Sequence, residues 1–433
     1  MTPAARLSAA IEVLADIDAR RRPAADALKD WGLSHRFAGS GDRAAIAGLA
    51  YDALRRRSSA SWIMGDATPR AILLGMLKLE RGLDAEAIAA LCDGARHAPE
   101  PLSDDERARL VHASLADAPA PVAGDYPEWL DPHFARGFGE ERAAELAALA
   151  ARAPLDLRVN TLKADRERAA SALADHAPAP TRWSPFGLRI RRAAEAKSPA
   201  IHAERAFIKG MIEVQDEGSQ LAALLAGARP GEQVVDLCAG GGGKTLALAA
   251  MMENRGQIYA TDDDKRRLSP IHARLVRAGA RNVQVRPPKY EADALADLAG
   301  RADLVLIDAP CTGTGVWRRN PDAKWRMRPG ALDERRKEQA IALDRAAPLV
   351  KAGGRIAYVT CSVLEEENAE QVRSFAARHA AFSIAPPAEI CAGLGERALL
   401  FRTAARLSDE GVLMTPLRTG TDGFFVSVLR KAS

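Results

Sequence analysis

"VVDLCAGGGGKT", Val234 to Thr245, joins a short apolar run to four glycines, a lysine and a threonine. A loop that grips a nucleotide triphosphate has the form G-x-x-x-x-G-K-[ST], with a glycine six positions before the lysine. Six positions before Lys244 stands Cys238, so that pattern fails at its first glycine. What remains is a strand (Val234, Val235, Leu237), a glycine turn, and a helical run from Leu246 to Met252. Such a turn lets a ligand approach the backbone closely, with N–H groups at the helix start pointing toward it.

The stretch opens a regular alternation. Strand candidates are Gln233–Cys238, Gln257–Asp262, Asn282–Arg286, Asp303–Asp308 and Arg355–Thr360. Helix candidates Lys244–Met252, Lys265–Ala278, Leu332–Val350 and Leu364–Arg378 separate them. Short apolar strands alternating with amphipathic helices predict an α/β fold, a doubly wound and mostly parallel sheet. "FSIA", "GVLMTPL" and "DGFFVSVLRK" then read as three strands with no helix of length between them, an antiparallel edge.

Upstream the pattern differs. Leu7, Ile11, Leu14 and Ile17 recur at helical spacing, as do Ile46, Leu49, Ala53 and Leu54. Thr68-Pro69 is expected to start one helix, and Ser103 to Glu106 fits a capping box. A proline cluster around Gly124 follows, then a mixed segment with strands "LDLRVNT" and "GLRI". We therefore expect three domains: an all-helical one over 1–120, a linker with a small α+β subdomain over 121–208, and the α/β domain over 209–433.

Composition narrows the class. With 433 residues, 47% of them hydrophobic, the chain is expected to build ordinary globular cores. The balance of 61 Lys and Arg against 57 Asp and Glu is too even to identify a polyanionic partner, so the placement of charge has to. Five cysteines form no C-x-x-C pair, which argues against a metal site and for a reducing compartment. The first residues read as an amphipathic helix containing acids, and no stretch approaches the length of a membrane span. A cytoplasmic monomer is the expectation.

Ligands of such sheets sit beyond the carboxyl ends of the strands. "QIYATD" ends there in Asp262, where an acid can hold a ribose hydroxyl pair or simply cap the helix at Lys265. "ADLVLIDAPC" delivers Asp308 and Cys311, and "GGRIAYVTCS" delivers Cys361. One cysteine in a core is usually a small hydrophobe; two at equivalent strand ends suggest nucleophilic chemistry. Nearby helix starts are expected to lower the thiol pKa values and populate a thiolate. After Cys311 comes "GVWRRNPDAKWRMR". There Arg318, Arg319, Lys324, Trp325 and Arg326 combine cations with flat rings, which suits a nucleic-acid backbone and an unstacked base, a solvated charged face being the alternative.

"DLCAGGGGKT", "DAPCTGTGVWRRNPDAKW", "YVTCS" and "TDGFFVSVLRK" together resemble the RNA cytosine-5 methyltransferases of the Nop/Sun family. "LDLRVNTLK" and "VQDEGSQLAALLA" resemble further blocks of that family, so the likeness covers about residues 126 to 433. The helical front, above all "GSGDRAAIAGLAYDALRRR", is similar to the NusB-like RNA-binding domain of RsmB-like, small-subunit rRNA members. The resemblance implies a Rossmann-like domain and S-adenosylmethionine as cofactor. It makes Cys361 the nucleophile toward cytosine carbon 6, gives Cys311 a part in product release, and sets Asp308 beside cofactor and base. It further implies that Cys238, Ala239, Gly240, Gly241, Gly242, Gly243 and Lys244 contact the cofactor, with Asp262 on its ribose and Arg267 nearby. The partner implied is RNA, rRNA before tRNA; an assembly factor that keeps the cofactor pocket without catalysis is the alternative.

Two departures from the family stand out. Gly240 and Gly241 occupy positions usually held by Ala and Pro, so we expect a loop ordered only when ligand is bound. An acid beside the adenine is expected roughly 19 residues before Asp308, where "VRPPKYEAD" offers only Glu291 and Asp293.

Overall fold

A computed structural model describes residues 1–191, 199–288 and 294–433. Glu291 and Asp293 lie outside the described residues. The chain forms two compact units. One holds Met1–Arg152 together with Trp317–Arg328; the other begins at Ala153 and includes Pro329–Ser433.

The first unit is helical. Leu7, Val13, Leu14 and Ile17 of the helix Pro3–Arg20 pack with Ile46 and Leu54 of Ser40–Arg55 and with Leu73, Leu74 and Met76 of Pro69–Arg81. The local signals hold: the Thr68 hydroxyl accepts from the Ala71 N–H, and Ser103 and Glu106 form a reciprocal capping box. Among the described residues no helix is long and apolar enough to cross a membrane.

The second unit contains two sheets. Strands β1 (Leu155–Val159), β2 (Ala179–Pro180), β3 (Gly187–Ile190) and β4 (Ile212–Val214) form the small antiparallel one, in the order β2-β3-β1-β4. Then come β5 (Gln233–Asp236), β6 (Gln257–Ala260), β7 (Val283–Val285), β8 (Ala302–Asp308) and β9 (Val350–Thr360). They are followed by β10 (Phe382–Ile384), β11 (Arg406–Ser408), β12 (Gly411–Met414) and β13 (Phe424–Lys431). Among the described residues these nine make one sheet, ordered β11-β12-β13-β9-β8-β5-β6-β7, with β10 on β13. The stretch from β7 to β9 is parallel and Rossmann-like, and β13 runs antiparallel beside β9.

Side chains of a strand alternate between faces, and β8 shows the consequence. Leu304 and Leu306 join Leu221, Leu225 and Leu248 on one face of the sheet; Val305 and Ile307 join Leu343, Val372 and Phe375 on the other. Burial on both faces explains why these strands read as continuous apolar runs.

Two expectations need correction. The antiparallel edge of β10, β12 and β13 forms, but it gains a further strand, β11, absent from the sequence reading, and helices Pro387–Cys391 and Ala398–Ala404 separate β10 from β11. The helix expected over Lys265–Ala278 is broken into Lys265–Leu268 and Ile271–Ala278. Pro270, between them, has no N–H to continue the ladder.

Register brings the functional segments to one edge. Asp308 pairs with Val359, and Thr360 pairs with Phe425. The carboxyl ends of β8 and β9 therefore open beside the amino end of β13.

Candidate active site

The glycine turn after β5 takes left-handed backbone at Gly240 (φ +50°) and Gly242 (φ +81°). At Gly242 a Cβ would lie 2.5 Å from the Ile271 side chain, so this position needs glycine for space as well as conformation. The turn is held by its neighbours. The Gly240 N–H donates to Asp262 Oδ2 (2.9 Å), the Gly242 N–H to the Ala239 carbonyl (2.9 Å), and Arg274 Nη1 to the Gly241 carbonyl (2.6 Å). Loop order thus has sources within the chain itself.

Asp262 is buried and also accepts from the Asp264 N–H (2.9 Å), with the Arg267 guanidinium 3.8 Å away. Capping of the following helix falls to Asp264, whose side chain accepts from the Arg266 N–H. The lysine and threonine that suggested a phosphate loop both serve carboxylates. Lys244 Nζ lies 2.7 Å from Asp308 Oδ2, and the Thr245 hydroxyl donates to Asp236 Oδ2 (2.6 Å). Burial pushes the Asp236 carboxyl up to about 7, opposed by that hydrogen bond and reinforced by the charge of Asp308. Burial likewise pushes the Cys238 thiol up, as do the neighbouring carboxylates.

Cys311, three residues past the end of β8, and Cys361, one past β9, meet with their sulfurs 3.3 Å apart. The expected lowering of thiol pKa does not hold for Cys311. Its contact with Cys361 and its burial push it well above the ordinary thiol range, and the Gly313 N–H opposes them only as a lesser effect. Cys311 therefore retains its proton and can donate an S–H to the Cys361 sulfur.

The loops bearing these thiols are cross-tied. The Gly315 N–H donates to the Cys361 carbonyl (2.9 Å) and the Gly423 N–H to the Gly315 carbonyl (2.8 Å). Thr314 Oγ1 lies 3.0 Å from Ser362 Oγ and accepts from the Val363 N–H. Behind Cys311, buried Glu367 accepts from the Thr312 N–H (2.8 Å), the Thr312 hydroxyl (2.5 Å) and Gln339 Nε2 (3.0 Å). Gln339 Nε2 also reaches the Pro310 carbonyl at 2.9 Å. Sequence reading missed Glu367, because in "LEEEN" it looks like one of three acids ahead of a helix. Arg274 was missed too, as one basic residue among many on an amphipathic helix.

The basic segment sits in the helical unit. Lys324 is 1% exposed, and its ammonium donates to the Arg55 carbonyl (3.0 Å) and the Asp125 carbonyl (2.5 Å). Trp325 packs against the helical core and donates from Nε1 to the Leu54 carbonyl (2.6 Å). Arg318 is buried, Arg319 half-buried, and Arg326 is exposed and paired with Asp322 at 3.0 Å. Of the five residues expected to meet RNA, Lys324 and Trp325 spend their polar groups on backbone carbonyls of their own unit.

Residues 223–430 match the family described as 16S rRNA methyltransferase RsmB/F, and residues 126–197 match the ferredoxin-like domain of RsmF/B-like methyltransferases. Over 310 residues the chain is 31% identical to the probable ribosomal RNA small subunit methyltransferase B of Synechocystis, covering 71% of this chain and 67% of that one. It is 33% identical over 310 residues to ribosomal RNA small subunit methyltransferase B of Citrobacter koseri, covering 71% and 66%. The chain thus spans about two thirds of the length of these curated relatives. Among solved structures, a methyltransferase homolog from Pyrococcus horikoshii matches with a TM-score of 0.57 and 26% identity, covering 72% of this chain and 97% of that one. NSun6 from the same organism, crystallised with SFG, matches in fold with a TM-score of 0.59 at 22% identity, covering 71% and 98%.

Proposed function

Because the chain belongs to the RsmB/F family of 16S rRNA methyltransferases, we propose that it methylates carbon 5 of a cytosine in small-subunit rRNA, with S-adenosylmethionine as methyl donor and Cys361 as covalent nucleophile. The observation that carries this reading is the pair of thiols 3.3 Å apart at the ends of β8 and β9, beside the Lys244–Asp308 pair. Neither a phosphate site nor a bare RNA-binding surface needs such a pair.

The residues around the glycine turn fit the donor. Left-handed Gly240 and Gly242 leave backbone without side chains for close approach, and the Asp262 carboxylate suits a ribose hydroxyl pair. The fold neighbour crystallised with SFG, an S-adenosylmethionine analogue, agrees with that use. Bound there, the donor supplies an electrophilic methyl on a sulfonium.

Carbon 5 of cytosine is too weak a nucleophile to take a methyl group unaided. Addition of the Cys361 thiolate to carbon 6 makes carbon 5 enamine-like, and the carbon 5 electron pair then takes the methyl. As charge develops on ring nitrogen 3 it takes a proton from water, and the Asp308 carboxylate, tied to the Lys244 ammonium, accepts the hydrogen bond of the N–H so formed. The carbon 5 proton then leaves to a base, its electron pair re-forms the carbon 5–carbon 6 double bond, and the bond to Cys361 breaks. Cys311, holding its proton against the Cys361 sulfur, donates to the departing thiolate and so assists release. The target base must leave its stack, which favours a loop or incompletely assembled RNA. The enzyme would act as a cytoplasmic monomer.

Incubation of the chain with S-adenosylmethionine and 16S rRNA carrying 5-fluorocytosine tests this directly, because fluorine at carbon 5 blocks the proton loss that releases the thiol. A denaturation-resistant protein–RNA adduct is expected, lost in Cys361→Ala. An adduct that survives in Cys361→Ala and disappears in Cys311→Ala would show that the roles of the two thiols are reversed.

A further inference from the structure

We infer that Arg274, braced by Glu213, is a positioning residue that sets the affinity of the glycine turn for S-adenosylmethionine. The inference rests on the cofactor reading proposed above. Left-handed Gly240 and Gly242 flank Gly241, and four consecutive glycines lose more backbone freedom on ordering than any other sequence would. One side chain grips the middle of this turn: Arg274 Nη1 donates to the Gly241 carbonyl at 2.6 Å.

Arg274 is itself held. Its Nη2 donates to Glu213 Oε2 (3.1 Å), and Arg277 Nη2 donates to the other oxygen of the same carboxylate (2.5 Å). Glu213 is buried on β4, and the Arg277 guanidinium stacks over the Phe207 ring at 3.8 Å. The small sheet therefore braces the glycine turn through one guanidinium. A Cβ at residue 241 would lie 3.2 Å from Arg274 Nη1, so the clamp also uses the side-chain space that glycine leaves free. None of these atoms belongs to the thiol pair or to the Lys244–Asp308 pair.

A residue acting this way changes how often the turn is ready for ligand without changing the reacting groups. S-adenosylmethionine binding to the full chain is measured by calorimetry, alongside methyl transfer over a range of donor concentrations. For Arg274→Met, Kd and the donor KM are expected to rise about ten-fold or more, the loss typical of a charge-assisted hydrogen bond. The kcat at saturating donor should stay within about two-fold of wild type, and Arg274→Lys should recover part of the affinity. Arg277→Met breaks the other bond to Glu213 but leaves the Gly241 carbonyl its donor, so it should weaken binding no more than about three-fold. Unchanged Kd in Arg274→Met, or equal weakening in Arg277→Met, overturns the inference. Failure of the wild-type chain itself to bind S-adenosylmethionine overturns instead the cofactor reading beneath it.

Discussion

Replacing Gly315 by alanine puts one methyl group into the tightest crossing of the candidate site. A Cβ at Gly315 would lie 2.1 Å from the Gly423 carbonyl oxygen and 2.7 Å from its carbonyl carbon. An ordinary close carbon–oxygen contact is about 3.3 Å, so the two backbones must part by roughly 1 Å. The obstacle is main chain on both sides, so no rotamer change relieves it. Parting them strains two hydrogen bonds, Gly315 N–H to the Cys361 carbonyl and Gly423 N–H to the Gly315 carbonyl. Overpacking costs about 1–3 kcal/mol and each net hydrogen bond about 1 kcal/mol, so partial relaxation leaves a loss of about 3 kcal/mol. Because Gly315 is bonded to the carbonyl of Cys361 itself, the thiol moves with it, and a displacement of about 1 Å can cost ~10²-fold in rate. Urea unfolding and single-turnover methyl transfer read the two effects separately. Gly330→Ala is the control, since a Cβ there meets nothing within 4 Å. A Gly315→Ala protein within about 0.5 kcal/mol of wild type, with turnover within about three-fold, would refute the reasoning.

Asp236 and Lys324 make two further cases. The Asp236 carboxyl, ordinarily at 3.8, is raised to about 7 by burial, so the folded state binds its proton more tightly than the unfolded state. Its contribution to stability is present below pH ~4 and is lost as pH rises through ~7, a change of about 4 kcal/mol at most. Urea melts of Asp236→Asn should show that part of the pH slope removed; parallel curves for variant and wild type would count against the burial argument. Lys324→Ala should cost about 3–5 kcal/mol in unfolding experiments, because two buried carbonyls lose their donor and a cavity opens. It should leave the slope of RNA affinity against salt unchanged, whereas a phosphate-contacting lysine would lower that slope by about 1.

Sequence alone carried the parts of this protein that are local. Apolar runs located most strands and helical spacing the longest helices, and Thr68 and Ser103 announced their helices because a cap and its partners lie within three residues. The count from Lys244 back to Cys238 removed the phosphate loop, and the strand ends bearing Asp308, Cys311 and Cys361 stood out as a candidate site. What sequence left undetermined depends on residues far apart in the chain. The 3.3 Å gap between sulfurs 50 residues apart, and the rise in the Cys311 pKa that follows from it, come from β8 and β9 being neighbours in the sheet. A string of cations beside tryptophans reads as an RNA surface until the fold turns Lys324 toward the Arg55 and Asp125 carbonyls. Arg274 and Glu213, 61 residues apart, gain meaning only when β4 and the helix Ile271–Ala278 close on Gly241. Chain pattern determines which residues face a core, because burial follows from periodicity. Only tertiary packing decides which charges are desolvated and which are paired, because those energies depend on distances that the order of residues does not contain.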